Sequence, residues 1–298
     1  MRLLHCFIVN KVSGNGRALK VWHLLEKILL KKNINYCVRF TEEPKQATAF
    51  VHELLGNEQT KVIIAVGGDG TVHEVINGLV GSTIPLGVIP AGSGNDFCRQ
   101  LRIPLRSDKA LERILRHEPK RIDLGRIDDK YFATVVGVGF DGQVALTTNR
   151  SKYKKILNIA RMGGISYIIG VIKVLHAYKP MTVHLKIDHT ELKLTKVWLI
   201  AIANSPFYAG GMAICPDAQN NDGLLDICIV QELTKRELLY LFPSVFKGRH
   251  INHPSVTIYR GKEIEIFSES PLLVHGDGEM IGQTPVNLTI EPNYLYVI

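Results

Sequence analysis

The sequence predicts a mainly parallel α/β domain followed by a β-sandwich domain. The chain has 298 residues, which is too long for one small core and fits two domains of ordinary size. Up to Gly125, short apolar runs alternate with helical patterns, which is typical of βαβ units with helices on both faces of a sheet. Beyond Lys130 the apolar runs are mostly strand-like. We therefore expect the domain boundary near residue 125.

Strands and helices alternate in the first domain. The segment KVIIAV is continuously apolar, as expected of a strand buried on both faces of a sheet. Val72, Val75, Ile76 and Leu79 follow it with the i, i+3, i+4, i+7 spacing of one helix face. The other strand-like segments are LLHCFIV, NYCVRF and IPLGVI, and the other helical segments are RALKVWHLLEKILLKK, QATAFVHELL and KALERILRHE.

The second domain is predicted from strand-like segments with two helical interruptions. One helical stretch runs from about Lys152 to Tyr178. The other is TKRELLYLFPSVF, in which Thr234 and Glu237 have the spacing of a capping box. The strand-like segments are KYFATVVGVGF, MTVHLKID, ELKLTKVWLIAIAN, LLDICIV, SVTIYR, EIEIF and VNLTI, and together they favour a β-sandwich.

The composition excludes several classes of protein. With 46% hydrophobic and 21% charged residues, the chain is typical of a globular protein and has no apolar run near the roughly 20 residues that span a bilayer. Its five cysteines lack C-x-x-C spacing, which indicates reduced thiols in the cytoplasm. The net charge of +8 favours an acidic partner. Because no RNA-binding motif, zinc-finger spacing or DNA-reading helix is present, we expect no nucleic-acid partner.

Two glycine-rich turns follow predicted strands of the first domain. In AVGGDGTVHEVING, Gly67 and Gly68 end a strand directly before a helix, and in IPLGVIPAGSGNDF, Gly92-Ser93-Gly94 does the same one unit later. Such turns direct backbone N–H groups and the positive end of a helix dipole toward an anion such as phosphate. Neither turn has the spacing of a P-loop or of a dinucleotide-binding fingerprint.

Three aspartates, Asp69, Asp96 and Asp123, lie in these turns or at the domain junction. A carboxylate beside phosphate oxygens is repelled unless a cation lies between them. The three acids therefore predict a Mg²⁺ ion that neutralises a bound phosphate. Asp69 by itself also suits a helix cap or a turn. The eleven histidines show no paired metal-binding spacing. His275 is the histidine that lies near Asp277 in the sequence.

The motifs GGDGTVHEVINGL and IPAGSGNDFCRQL resemble the nucleotide-binding signature of the diacylglycerol-kinase-like lipid kinases, which are related to the NAD kinases. The segments VNKVSGNGRA, RFTEEP, QNNDGLLDICIV and HGDGEMIG continue this resemblance, in the family's order, over almost the whole chain. The resemblance implies a Rossmann-like ATP-binding domain at residues 1–125, to which residues 287–298 return, and a β-sandwich at residues 126–286 that holds the lipid. It also implies Mg²⁺-dependent transfer of the γ-phosphate of ATP to a hydroxyl of diacylglycerol or a related lipid.

The resemblance further implies roles for individual residues. Asp69, Asp96 and Asp123 would organise the catalytic Mg²⁺, and Asp277 would be the general base, with Glu279 beside it. A second, structural metal would be bound by Asp222 with backbone oxygens of Gln219 and Leu224. The implied nucleotide-binding residues are Asn10, Ser13, Gly14, Thr41, Gly67, Gly68, Asp69, Gly70, Thr71, Glu74, Ser93, Asn95 and Asp96.

Several of these residues also have structural interpretations. Glu74 lies off the apolar helix face and suits a solvated surface. Asp222-Gly223 suits a hairpin turn, and Asp277, between two glycines, suits a tight turn. For the whole protein, an NAD kinase and a non-catalytic nucleotide or lipid sensor stay open.

A lipid acceptor implies a surface that reaches the membrane. The basic segment NRSKYKKILNIAR contains Lys152, Lys154 and Lys155, which are candidate contacts with anionic lipid. We expect a cytoplasmic protein that docks peripherally at the inner membrane surface, with ATP and a lipid as its partners. A homodimer is left open.

Overall fold

The computed structural model describes residues 4–149 and 163–298. The chain divides into two compact units. The first unit comprises Met1–Ile122 and Asn293–Ile298, and the second comprises Asp123–Pro292. The first is a parallel α/β domain and the second a β-sandwich, so the predicted fold class is confirmed.

The first unit is built on a parallel sheet with the strand order β2-β1-β3-β4. Strand β3 lies inside the sheet, and the consecutive residues from Val62 to Val66 are fully buried, as the apolar run predicts. Its strands are β1 (Leu4–Asn10), β2 (Tyr36–Thr41), β3 (Thr60–Gly67) and β4 (Leu86–Pro90), and its helices are α1 (Ser13–Lys31), α2 (Gln46–Leu55), α3 (Asp69–Leu79), α4 (Asp96–Gln100) and α5 (Ser107–Arg116).

Helix α3 packs closely against helix α2. The predicted apolar face of α3, which contains Val72 and Ile76, is buried. A Cβ atom placed on Gly78 would lie 2.7 Å from the Cβ atom of Val51 on α2. A glycine at this position therefore lets the two helices approach each other, and their contact fixes the direction of α3.

The second unit contains most of the strands. In hydrogen-bonding order they run β16-β15-β7-β9-β8-β14-β17, and β12 and then β13 continue from β9. The bounds are β5 (Lys120–Ile127), β6 (Lys130–Phe132), β7 (Val135–Gly139), β8 (Met181–Ile187), β9 (Thr190–Ala203), β10 (Phe207–Tyr208), β11 (Met212–Ala213), β12 (Leu225–Gln231), β13 (Val256–Gly261), β14 (Glu263–Ser268), β15 (Leu273–Gly276), β16 (Glu279–Gln283) and β17 (Val286–Val297).

Two apolar cores stabilise the second unit. One is formed by strand residues such as Val136, Leu185 and Ile227. The other joins strand residues such as Trp198 to helical residues such as Val144. The helices are α6 (Phe140–Asn149), α7 (Gly163–Ala177) and α8 (Lys235–Leu241), with 3-10 helices at Phe242–Lys247 and Arg249–Asn252.

The second helical interruption begins as predicted. The Thr234 side chain accepts a hydrogen bond from the Glu237 backbone, and the Glu237 side chain accepts one from the Thr234 backbone, which completes the capping box. Helix α7 covers the second part of the other predicted helical stretch, and Lys152, Lys154 and Lys155 lie outside the described residues.

Strand β17 contributes to both units. Its first part pairs antiparallel with β14, where Leu288 is opposite Ile264. Its last part pairs parallel with β4, and the Ile298 N–H donates to the Leu86 carbonyl at 3.0 Å. Val297 and Ile298 are buried. Residues 293–298 therefore complete the sheet and part of the core of the first unit.

Among residues 4–149 and 163–298, no helix is long and apolar enough to cross a membrane.

Candidate functional site

The two glycine turns of the first unit are in direct backbone contact. Strands β3 and β4 are neighbours, and the Ala91 N–H donates to the Gly67 carbonyl at 2.7 Å. A Cβ atom on Gly68 would lie 2.9 Å from the Cα atom of Gly92, and one on Gly92 would lie 2.4 Å from the Cα atom of Gly68. Only glycine permits this approach. The turns therefore form one surface at the carboxyl edge of the sheet, where α/β proteins bind ligands.

The start of α1 adds a third loop to this surface. Gly14, Asn15 and Gly16 have φ values of 58°, 57° and 80°, so the backbone is left-handed at three consecutive residues. A Cβ atom on Gly14 would lie 2.1 Å from the Ala91 oxygen. Arg17 Nε donates to the same oxygen at 3.2 Å, and Arg17 Nη2 donates to the carbonyl of the next residue. The sequence prediction missed Arg17, although its cation directly follows the glycine-rich run.

Polar residues at the ends of β1 and β2 lie beside the first turn. Asn10 Nδ2 donates to Thr71 Oγ1 at 3.1 Å, and Asn10 is in register with Thr41 on β2. A Cβ atom on Gly67 would lie 2.4 Å from Thr71 Oγ1, and one on the following glycine would lie 3.5 Å from Ser13 Oγ. The structure thus brings together many of the residues predicted to bind nucleotide, and their roles stay predictions.

The second turn is closed by Asn95. Its Oδ1 accepts from the Gly92 N–H and its Nδ2 donates to the Gly92 carbonyl, both at 3.0 Å. Asn95 has a φ of 54°, which an asparagine tolerates better than most residues. Ser93 is exposed between the two glycines of this turn. The Asn95 side chain therefore holds the turn in shape, while Ser93 presents its hydroxyl to solvent.

Asp69 and Asp96 each make a hydrogen bond with the first turn of α4. Asp69 Oδ1 accepts from the Phe97 N–H at 3.2 Å, and the buried Asp96 accepts from Arg99 Nη1 at 2.7 Å. Burial raises the pKa of the Cys98 thiol, and the Asp69 carboxylate raises it further. Two negative charges therefore lie next to the glycine turns.

Two carboxylates suit Mg²⁺, although Asp96 also pairs with Arg99. Proteins bind Mg²⁺ through one or two carboxylates and complete its shell with water and substrate phosphate oxygens. Asp69 and Asp96 supply such a pair beside a surface suited to phosphate. Within the described ranges, 4–149 and 163–298, no three His, Cys, Asp or Glu side chains gather as a metal site. Asp123 belongs to the second unit, and its predicted share in the Mg²⁺ site stays a prediction.

Asp123 holds a turn of the second unit. Its carboxylate accepts from the Gly223 N–H at 2.8 Å, its N–H donates to the Asn220 carbonyl at 2.7 Å, and it is 1% exposed. These bonds fix the turn that carries Asp222, which lies about a hundred residues after Asp123 in the chain.

Asp222 forms an ion pair where the sequence predicted a second metal site. Its Oδ1 accepts from the Leu224 N–H at 3.1 Å, and its Oδ2 pairs with Arg260 Nη2. Arg260 Nε also lies 3.3 Å from the carboxylate of the buried Asp226, whose pKa is raised by burial and lowered by the guanidinium, with burial prevailing. A cation at Asp222, with backbone oxygens of Gln219 and Leu224, would share the carboxylate with this guanidinium, and the second metal site stays a prediction.

Glu74 caps a neighbouring helix. Its Oε2 accepts from the Ala47 N–H in the first turn of α2 at 3.1 Å, and its backbone oxygen accepts from Thr48 Oγ1 at 2.8 Å. The glutamate therefore joins α3 to α2, a role that neither the solvated-surface interpretation nor the implied nucleotide contact anticipated.

Asp277 lies in the turn between β15 and β16, with a φ of 51°. Its Oδ1 accepts from the N–H of Thr134 at 2.8 Å and from the Thr134 hydroxyl at 2.6 Å, and its Oδ2 accepts from the Ala133 N–H at 3.0 Å. An ionised carboxylate has about four acceptor positions, and these donors fill three. This geometry supports a turn anchor. Glu279, the first residue of β16, is exposed.

A narrow apolar cavity lies in the second unit, between strands and helices of its second core. Its free volume is about 40 Å³, and apolar atoms form nearly all of its wall. Among the described residues that line it, Tyr208 and His250 are the ones with polar side-chain groups. Residues from α7, α8 and the following 3-10 helix close it on the helical side, including Val171, Leu238 and Val245.

Two family models match the chain. Residues 5–127 match the diacylglycerol kinase catalytic domain, and residues 134–298 match the YegS C-terminal NAD kinase beta sandwich-like domain. Diacylglycerol kinase of Mycobacterium tuberculosis is 32% identical over 298 residues, which cover 98% of this chain and 93% of that protein. The "Putative lipid kinase YtlR" of Bacillus subtilis is 28% identical over 302 residues, which cover 98% of each chain.

A solved structure agrees with these relatives. A crystal structure of a "putative diacylglycerol kinase" from Bacillus anthracis str. Sterne superposes with a TM-score of 0.81 at 24% identity and covers 100% of this chain and 97% of that one. At this identity the likeness shows the fold. The two family models and the Mycobacterium tuberculosis relative show that the chain belongs to the diacylglycerol-kinase-like family of bacterial lipid kinases.

Proposed function

We propose that this protein is an ATP-dependent lipid kinase that transfers the γ-phosphate to a hydroxyl of diacylglycerol or a related lipid. The observation that carries the choice of acceptor is the match of residues 5–127 to the diacylglycerol kinase catalytic domain, and the apolar wall of the cavity in the second unit agrees with an apolar ligand. The names of the relatives, diacylglycerol kinase and putative lipid kinase, support the same choice.

The first unit would bind the nucleotide at the contacting glycine turns. Backbone N–H groups at the start of α3 have no partner within the helix, and the helix dipole favours an anion there. Asn10, Ser13 and Thr71 would add side-chain contacts. Asp69 and Asp96 would hold Mg²⁺, which when bound neutralises phosphate charge.

Phosphoryl transfer needs a hydroxyl held in line with the γ-phosphate and a group that takes its proton. Asp277 and Glu279 are the carboxylates that the family resemblance proposes for the proton. Asp277 is held by three donors and therefore keeps one orientation. Glu279 is exposed. A fixed carboxylate suits orientation of the hydroxyl, and an exposed one suits exchange of the proton with water.

We propose peripheral binding to an anionic membrane through the α8 rim, defined as residues 235–249. Its exposed apolar side chains are Leu239, Tyr240 and Phe246, with exposed fractions of 48%, 87% and 40%. Its charged residues are Lys235, Arg236, Glu237, Lys247 and Arg249, so cations exceed anions. Other residues of this rim, such as Leu238 and Val245, line the apolar cavity, so binding through the rim would bring the cavity close to the bilayer. The rim combines apolar contact with attraction to anionic headgroups.

The test is transfer of radiolabelled γ-phosphate from ATP to a total lipid extract, with the product identified by mass. We expect label in the phosphorylated form of a lipid that carried a free hydroxyl before the reaction. Label only in soluble metabolites would refute the lipid acceptor. With NAD offered in place of the extract, formation of labelled NADP would favour the NAD kinase alternative. Tight ATP binding without transfer to lipid or NAD would favour a sensor.

A further inference from the structure

Two cysteines of the first unit lie side by side on neighbouring strands. Cys6 on β1 and Cys37 on β2 are partners in the register of these parallel strands. Residues opposite each other in such a pair direct their side chains to the same face of the sheet. Neighbouring strands lie about 4.8 Å apart, and the Cα atoms of two disulfide-bonded cysteines are usually about 4.4–6.8 Å apart. The backbone therefore places the two residues within the range of a disulfide bond.

The two thiol groups contact each other, and they differ in exposure. The Cys6 thiol donates a hydrogen bond to the Cys37 sulfur. Cys6 Sγ also lies 3.8 Å from Thr60 Oγ1 at the start of β3. Cys6 is fully buried, whereas Cys37 is half-buried on β2, the strand at the edge of the sheet. A small oxidant in solution would therefore reach Cys37 first.

The half-buried thiol is also the more acidic of the two. The hydrogen bond from Cys6 lowers the pKa of Cys37 to about 7, and the Arg39 cation also lowers it. Burial and the Glu53 carboxylate, which pairs with Arg39 from α2, oppose these two effects. The same hydrogen bond, followed by burial, raises the pKa of Cys6. Near neutral pH, Cys37 is therefore largely available as the nucleophilic thiolate, while Cys6 keeps its proton.

A second pair of cysteines, in the second unit, separates the effect of acidity from that of access. Cys228 on β12 accepts a hydrogen bond from Cys215, and this bond is the main cause that lowers the pKa of Cys228 to about 6. Cys215 and Cys228 are 2% and 0% exposed. If acidity alone decided reactivity, Cys228 would react first. If access also matters, Cys37 reacts first.

We propose that Cys6 and Cys37 form a peroxide-reactive dithiol, in which Cys37 is oxidised and Cys6 then closes a reversible disulfide. The Cys37 thiolate attacks one oxygen of hydrogen peroxide, the O–O bond breaks, and the released hydroxide takes a proton from solvent to form water. Cys37 is then a sulfenic acid. The Cys6 sulfur attacks the Cys37 sulfur, the S–S bond forms, and the sulfenic hydroxyl leaves as water with the Cys6 proton.

In total, the two thiols lose two electrons and two protons, and one hydrogen peroxide is reduced to two water molecules. A dithiol reductant reverses the change by thiol–disulfide exchange. The inference does not depend on the proposed lipid acceptor.

The experiment treats the reduced full chain briefly with a small excess of hydrogen peroxide at about pH 7. Free thiols are then blocked with iodoacetamide, and the protein is digested without reductant for mass spectrometry. We expect the Cys6 peptide linked to the Cys37 peptide, with the loss of two hydrogen atoms, and its return to two thiols with dithiothreitol. Oxidation of Cys37 to sulfinic or sulfonic acid without this linked peptide would overturn the proposal.

The discriminating variant is Cys6→Ser, because a serine hydroxyl still donates a hydrogen bond but cannot form a disulfide. In this variant the Cys37 sulfenic acid should persist and be trapped by dimedone, and absence of the adduct would overturn the proposal. In Cys37→Ser, Cys6 should stay a thiol, and its oxidation at an unchanged rate would overturn the assigned order of attack. Cys228→Ser is the control and should form the link at the rate of the unaltered protein.

Two measurements on the unaltered protein cover the case in which a variant does not fold. The Cys37 thiol should be lost at least about tenfold faster than the Cys228 thiol, because Cys228 is buried. Equal or faster loss of Cys228 would overturn the proposal. On a gel without reductant, the oxidised chain should run as a monomer. Linked peptides found only in a dimer band would show a bond between two copies and would also overturn the proposal.

Discussion

Thr134 donates two hydrogen bonds to one oxygen of Asp277, from its backbone N–H at 2.8 Å and its hydroxyl at 2.6 Å. The other oxygen accepts from the Ala133 N–H. Both carboxylate oxygens face hydrogen-bond donors. An amide in place of the carboxylate would therefore direct its own N–H groups at one of these donors. Asp277 therefore anchors its turn in a way that asparagine cannot reproduce.

Asp277→Asn is expected to lower the free energy of unfolding by about 1–3 kcal/mol, because one buried donor loses its acceptor. Urea unfolding followed by circular dichroism measures this difference. In the same variant we expect kcat to fall on the order of 10²-fold, with the KM for ATP nearly unchanged, because the amide accepts no proton.

Glu279→Gln is the matched control for stability. Since Glu279 is exposed, its unfolding free energy should change by less than about 0.5 kcal/mol. Unchanged stability in Asp277→Asn would contradict the anchor. Wild-type kcat in the double variant would exclude both carboxylates as the proton acceptor.

Asp69→Asn and Asp96→Asn are each expected to remove most of the phosphate transfer at saturating ATP, because Mg²⁺ would lose one of two carboxylates. The far-UV circular dichroism spectrum should stay near that of the unaltered protein. Asp108→Asn serves as control, since this acid pairs with Arg106 at the start of α5. Near-normal transfer in Asp69→Asn would assign that residue to the helix cap alone.

Gly92→Ala is expected to weaken ATP binding at least tenfold and to lower the melting temperature. Its Cβ atom would meet the Cα atom of Gly68 at 2.4 Å, so one of the two turns must move. Gly56→Ala is the control in the same unit, because its nearest contact would be an ordinary 3.4 Å. Titration of both variants with ATP tests the expectation, and equal affinities would show that the turns need not touch.

Leu239→Ser combined with Tyr240→Ser should reduce binding to anionic vesicles several-fold, since two exposed apolar side chains leave the α8 rim. Vesicle sedimentation at several salt concentrations measures the loss, and binding of the unaltered protein should weaken as salt rises. Leu30→Ser removes a 65% exposed leucine from the first unit as control. An equal effect of the control, or salt-independent binding to neutral vesicles, would contradict the proposed surface.

Cys37 is expected to be the reactive thiol of the described chain. The pKa of Cys37 is lowered to about 7, chiefly by the hydrogen bond from its neighbour Cys6 and then by the Arg39 cation, which together outweigh burial and Glu53; Cys6 itself is fully buried. The thiolate that reacts forms above this pKa, so iodoacetamide labelling of Cys37 should rise as pH passes about 7. Mass spectrometry of labelled peptides tests this, and Cys6→Ala should move the midpoint toward higher pH. Faster labelling of any other cysteine would contradict it.

Local patterns predicted the features that depend on neighbouring residues. The apolar run of β3, the buried face of α3 and the Thr234 capping box all depend on side chains a few residues apart, and the structure confirms them. The fold class followed from the alternation of such segments and from the family resemblance.

The partners of the acidic residues could not be predicted in this way. Asp123 binds the turn at Gly223, Asp277 binds Thr134, and Glu74 caps a helix that begins at Gln46. Each carboxylate meets a backbone N–H that becomes available only when distant strands or helices pack together. Sequence spacing identified these residues as important but could not distinguish an anchor from a ligand.

Because the end of strand β17 belongs to the first unit, that unit cannot complete its fold until residues 293–298 have been synthesised. Asn293–Ile298 are translated after Asp123–Pro292, the whole of the second unit, and then pair with β4 of the first unit. Until those residues leave the ribosome, the Leu86 carbonyl lacks the donor from Ile298 and part of the core is open to water. The nascent first unit therefore has an uncovered strand edge for most of translation, which is the stage at which a chaperone would protect it.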